Sequence, residues 1–142
     1  MSKVLSPIVV CLAACVAVST FAVAEPLHYR IASDPTLPGK FRDGQCMDYA
    51  SALSSRLAAH GIHGRLIFYR WRITNSDICG SHVFVMYRLP DDTEWIVDNE
   101  VPLPRSVPVD SSPMQLVFLL SNTRSDPVEV ELDEQMNRLS YF

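Results

Sequence analysis

Two β-rich runs, His82 to Leu89 and Glu94 to about Asn99, flank the tetrad Pro90-Asp91-Asp92-Thr93. Proline presets a turn dihedral and aspartate bonds its own backbone, so this tetrad bends the chain back on itself. The runs are then expected to pair as an antiparallel hairpin. Side chains alternate along a strand, so the loop length decides which residues share a face. A four-residue loop pairs Leu89 with Glu94 and sets Asn99 on the face of His82. An odd-length loop or one bulge sets Asp98 there instead. The residues alone leave both registers open.

The other segments fill in around this hairpin. Asp43-Gly44-Gln45-Cys46-Met47-Asp48-Tyr49-Ala50 reads as a loop entering a helix, with Asp43 as N-cap. Ala50, Leu53 and Leu57 recur at helical spacing and Gly61 follows as a C′ residue, which predicts a helix from about Gly44 to His60. Arg65 to Arg72 reads as a strand, with Leu66, Phe68 and Arg70 on one face and Ile67, Tyr69 and Trp71 on the other. Gln115 to Leu120 is a short apolar run expected as a buried strand. Val128 to Leu132 alternates like a half-exposed edge strand. Glu25 to Arg42, with three prolines and Gly39, is expected to be irregular with at most a short strand. Val101 to Pro113, with four prolines, is expected as a surface loop. The tail from Asp133 to Phe142 has no clear period. One helix followed by mostly antiparallel strands is an α+β domain, with the helix packed on the sheet.

Cys46 falls at the third helical position when counted from Asp43. The free N–H groups and the positive end of the helix favour an anion there, so the thiol is a candidate nucleophile. The competing reading is a small residue that tucks the helix start against the sheet. A thiol nucleophile needs a base, and the base needs a group that orients its ring. Cys46, His82 and Asp98 would supply these three, with Asn99 as second choice for the orienting group. Asp98 follows Ile96-Val97 on an interior strand, where an unpaired carboxylate is costly.

The chain has 142 residues, 48% of them hydrophobic, which suits one domain. Residues 1–24 stand apart: Lys3 is their only charge, and Ala22-Val23-Ala24 before Glu25-Pro26 fits a signal-peptide cleavage site. The expectation is export to the periplasm or beyond, with residues 25–142 as the mature domain. Two alternatives are a lipoprotein lipidated at Cys15 of Leu12-Ala13-Ala14-Cys15, and an uncleaved span. Removing 24 of the 142 residues leaves 118 and takes Lys3 but no acid, so 12 basic and 16 acidic residues become 11 and 16. Without a dense Lys/Arg patch, nothing points to nucleic acid. Partners are expected to be protein or peptide substrates, and a membrane only if Cys15 is lipidated or the leader is retained. Cys46 and Cys79 are the two cysteines outside the leader, and an exported pair of this kind suggests a disulfide as the alternative to a free nucleophile.

The order Cys, His, Asp, with Gly-Gln-Cys-Met-Asp-Tyr-Ala at a helix start, His82-Val83-Phe84-Val85 and Val97-Asp98-Asn99, resembles the transglutaminase-like superfamily. Within it the chain is similar to the bacterial transglutaminase-like cysteine peptidases over Asp43 to Asn99. The resemblance implies a papain-like α+β core, Cys46 as nucleophile, His82 as general base and acid, and Asp98 as orienter. It implies attack on a peptide or side-chain amide and an acyl-thioester that passes to water or an amine. The Cys46 N–H would serve the oxyanion, with Gln45 or Tyr29 as candidates for a second donor. Some family members bind calcium through acids flanking the cysteine. Here Gln45 and Met47 leave only Asp48, too few oxygens for a hard cation, so no cofactor is expected. His60 with His63 and Cys79 with His82 form an alternative zinc set. A further alternative is a noncatalytic exported binding domain, with a Cys46–Cys79 disulfide and a Glu129, Glu131, Asp133, Glu134 cluster as partner surface.

Overall fold

The computed structural model describes residues 24–121, 128–138, 141 and 142. The expected leader, with Cys11 and Cys15, lies outside the described residues apart from Ala24. Helix α1 (Leu27–Ser33) precedes α2 (Cys46–Ala59). Strands β1 (Gly64–Ile73), β2 (Cys79–Arg88), β3 (Glu94–Val97) and β4 (Arg105–Val107) follow. The chain continues with α3 (Pro113–Ser121), β5 (Val128–Leu132) and α4 (Glu134–Arg138). The five strands form one sheet in the order β4-β3-β2-β1-β5, with every pairing antiparallel. The domain is α+β, with helices on both faces of the sheet.

Alternation along the strands sorts the core into two layers. Val83, Val85, Tyr87 and Val97 point to the side of α1 and α2, where they meet Tyr49, Ala50, Leu53 and Leu57. Ile67, Tyr69, Phe84, Met86 and Ile96 point to the other side and meet Leu116, Val117 and Leu120 of α3. The four inward residues of α2 are fully buried, at 0% exposure, so this helix is held by its apolar stripe. Its end is a Schellman motif: Gly61 at φ 73° donates to the Ala58 carbonyl at 2.9 Å, and Ile62 donates to the Leu57 carbonyl at 3.0 Å. Ile62 then buries beside Leu57.

Three expectations are corrected. The segment around Leu27–Ser33 is a helix rather than irregular chain, because Ile31 and Ala32 find burial against α2. Gln115 to Leu120 lies in a helix, not a strand. Its start is a capping box: Ser112 N–H donates to Gln115 Oε1 at 2.8 Å, and Gln115 N–H donates to Ser112 Oγ at 3.3 Å. Pro113 sits just behind the cap, where its missing N–H costs nothing. The loop from Val101 to Pro113 contains a short strand, β4, on the sheet edge. The tail forms α4 and returns to β1, where Phe142 and Gly64 exchange backbone hydrogen bonds of 3.0 and 3.2 Å.

Candidate active site

The hairpin register is what brings the candidate residues together. Arg88 pairs with Glu94, so the loop is the five residues Leu89–Thr93. Asp91 accepts from the Thr93 N–H and hydroxyl, and Asp92 takes φ 63°, which absorb the extra residue. The odd length puts His82, Phe84, Met86, Ile96 and Asp98 on one face. His82 Nε2 lies 3.7 Å from Asp98 Oδ2, with the two side chains 7% and 6% exposed. Asp98 Oδ1 accepts the Val101 N–H at 2.7 Å, which fixes the carboxylate just past the end of β3. Tyr69, directly across from His82 on β1, packs edge-on against the imidazole with centroids 5.6 Å apart.

Cys46 is the first residue of α2 rather than the third. Gly44, at φ 73°, and Gln45, at φ −110°, hold the entry open, so Asp43 does not cap the helix. The ladder between β2 and β3 covers only Val85–Arg88, so the first half of β2 is not paired with β3. The start of α2 fills that notch. There the Cys46 sulfur meets the His82 imidazole and the backbone N–H groups of Val83 and Met47.

The electrostatics follow from these contacts. The hydrogen bond to His82 holds the Cys46 thiol below its ordinary range. Burial opposes the shift, while the imidazole charge and the two backbone N–H groups add to it. Burial pulls His82 down, but the facing Asp98 carboxylate and the Cys46 sulfur outweigh it and push the imidazole up to about 9. A lowered thiol beside a raised imidazole favours the thiolate–imidazolium pair over the neutral one. With Nε2 facing Asp98, Nδ1 is the nitrogen left for the sulfur.

Asn99 has a different task from the one considered for it. Its Nδ2 donates to the carbonyls of Gly39 (3.1 Å) and Arg42 (2.8 Å), and its backbone carbonyl accepts the Phe41 N–H at 2.8 Å. It staples the loop that leads into Cys46 onto the residue beside Asp98. Gln45 turns toward the cleft beside Pro35 to Arg42, and Tyr29 packs against His28 and Trp95. Neither lines the cleft at Cys46, so the structure gives no support to either as a second oxyanion donor.

That cleft, about 260 Å³, is walled by Asp43, Gly44, Trp71, Ser81, Asn99 and Glu100 around Cys46 and His82. Trp71, Ser81, the Val83 N–H and the Val101 N–H were not singled out in the sequence, because their place depends on register. A depression of about 560 Å³ between Pro108–Ser111 and α3 contains neither the thiol nor the imidazole. Cys46 and Cys79 are both free thiols; Cys79 is exposed and lines a neighbouring groove. Nδ1 of His63 lies 3.2 Å from the Phe142 carbonyl, and His60 is an exposed helix-end residue. Among the described residues no group of three or more His, Cys, Asp or Glu is placed to hold a metal ion. Nor is any described helix long and apolar enough to cross a membrane. Compared with known proteins, the chain matches no family model, no curated protein and no solved structure.

Proposed function

We propose that the chain is a thiol hydrolase of transglutaminase-like type, with a papain-like core, that opens a peptide or side-chain amide through an acyl-thioester on Cys46. The observation that carries this reading is one continuous contact: a helix-start thiol against a buried imidazole whose far nitrogen faces a buried carboxylate. The Cys46 thiolate attacks the carbonyl carbon, and the His82 imidazolium gives its proton to the leaving nitrogen as the C–N bond breaks. Water then attacks the thioester, His82 takes its proton, and the C–S bond breaks to release the acid. Asp98 keeps the imidazole oriented and stabilises its charged form. The Cys46 N–H, at the start of α2, is a donor for the oxyanion. The apolar leader read in residues 1–24 supports action outside the cytoplasm, in the periplasm or in the medium, on protein or peptide substrates.

The test is alkylation of the reduced native protein by iodoacetamide across pH, in a Cys79→Ser background that removes the exposed thiol. Cys46 is expected to label with a midpoint below that of an ordinary thiol. His82→Ala should return the midpoint to the ordinary range. An ordinary midpoint that His82→Ala leaves in place would overturn the hydrolase and leave the noncatalytic binding domain.

A further inference from the structure

The cleft at Cys46 shares two walls, Trp71 and Ser81, with a larger groove of about 600 Å³ on the same end of the sheet. The groove floor is a patch of three strands. Ser81 lies directly across from Arg70, and Arg70 directly across from Glu131; two residues along the strands, Cys79, Arg72 and Glu129 line up in the same way. Residues directly opposite each other share a face, so six side chains rise from this patch in three parallel rows. Moving outward from the cleft, they are a hydroxyl and thiol row, a guanidinium row and a carboxylate row. Strand spacing puts successive rows ~5 Å apart. Arg70, Arg72, Glu129 and Glu131 are exposed, and none makes an ion pair among the described residues despite the cross-strand positions.

We infer that this groove receives the leaving-group half of a polypeptide substrate, with an acidic side chain next to the scissile bond and a basic one beyond it. The inference rests on the thiol hydrolase reading above. His82 must hand its proton to the departing nitrogen, so that nitrogen leaves on the imidazole side of the sulfur. Ser81, the neighbour of His82 on β2, points to the opposite face of the sheet, the α2 side on which Cys46 packs, so a segment that crosses the open edge of β2 past the sulfur enters the groove there. A segment running outward meets the arginine row first and the glutamate row second. A free side-chain amide would release only ammonia and leave these charges unused.

Microscopic reversibility supplies the experiment, because the entering amine of aminolysis occupies the place of the leaving one. Cys46 is acylated with p-nitrophenyl acetate, and the acetyl thioester partitions between water and an added dipeptide amide. The amine nitrogen attacks the thioester carbonyl, His82 takes its proton, and the C–S bond breaks to form the acetyl amide. Asp-Lys-amide and Lys-Asp-amide have the same composition and net charge in opposite order. Asp-Lys-amide is expected to capture the acetyl group about five- to tenfold more effectively, the range for charge-assisted contacts in a half-open site. Arg70→Ala and Glu131→Ala should each shrink that preference. Equal capture of the two, or a preference untouched by both variants, overturns the groove assignment while leaving the hydrolase reading intact. Absence of any acetyl-enzyme overturns both.

Discussion

Asp98 joins two neighbours that the chain keeps apart: one oxygen takes the Val101 N–H and the other faces His82. It is buried, 5% exposed, so its charge acts on the imidazole through little water. The proposed hydrolase needs His82 protonated while Cys46 is not. Raising the imidazole from 6.5 to about 9 means its charged form is favoured by folding; that stabilisation is complete below 6.5 and is lost as pH rises through about 9. Acyl transfer is therefore expected to rise as pH passes the lowered thiol value and to fall again near 9. In Asp98→Asn the upper limb should move to lower pH and turnover should drop on the order of 10²-fold or more, the share of a positioned acid–base group. Stopped-flow hydrolysis of p-nitrophenyl acetate across pH measures both; an unmoved upper limb would remove Asp98 from the site. The identities of Cys46, His82 and Asp98 were legible from residue type and order. The choice of Asp98 over Asn99 was not, because it turns on one residue of loop length.

Helix α3 shows how an element can be misread when length and composition are weighed before caps. Six consecutive apolar or amide residues suit a buried strand as well as a helix turn and a half. Ser112-Pro113-Met114-Gln115 breaks the tie, since the reciprocal Ser–Gln bonds satisfy N–H groups that a strand would leave to its neighbours. Leu116, Val117 and Leu120 then cover the sheet face behind His82, while Phe118 and Leu119 stay about half exposed. Ser112→Ala is expected to destabilise the domain by about 1 kcal/mol, read as a lower midpoint in urea. A loss within error would mean the helix does not depend on that cap. Helix α2 was legible for the opposite reason: its apolar stripe and Gly61 agree with each other. Only its first turn shifted, because Gly44 and Gln45 delay the start until Cys46 itself.

At the scale of the whole domain, the site exists because three distant segments converge on one notch in the sheet. The loop before α2 brings the thiol, β2 brings the imidazole, and the chain leaving β3 brings the carboxylate. Asn99 links the first and third by holding the carbonyls of Gly39 and Arg42. Asn99→Ala leaves those carbonyls without that donor and should cost about 1–3 kcal/mol. It should also slow acyl transfer, with the Cys46 alkylation midpoint drifting toward an ordinary thiol. A stability loss with an unchanged alkylation profile would make the staple purely structural.

The amino-acid order by itself determined the α+β class, the hairpin and the edge strand at Val128–Leu132, and it nominated Cys46 and His82 as a pair. Those are local properties: periodicity, turn residues and the charge at a helix start act within a few residues. Tertiary structure alone decided the hairpin register, the helix at Pro113–Ser121, the stapling role of Asn99 and the groove beside Ser81. Each depends on which atoms lie across a sheet or behind it, and backbone alternation turns a one-residue change in a loop into a change of face for every residue beyond it.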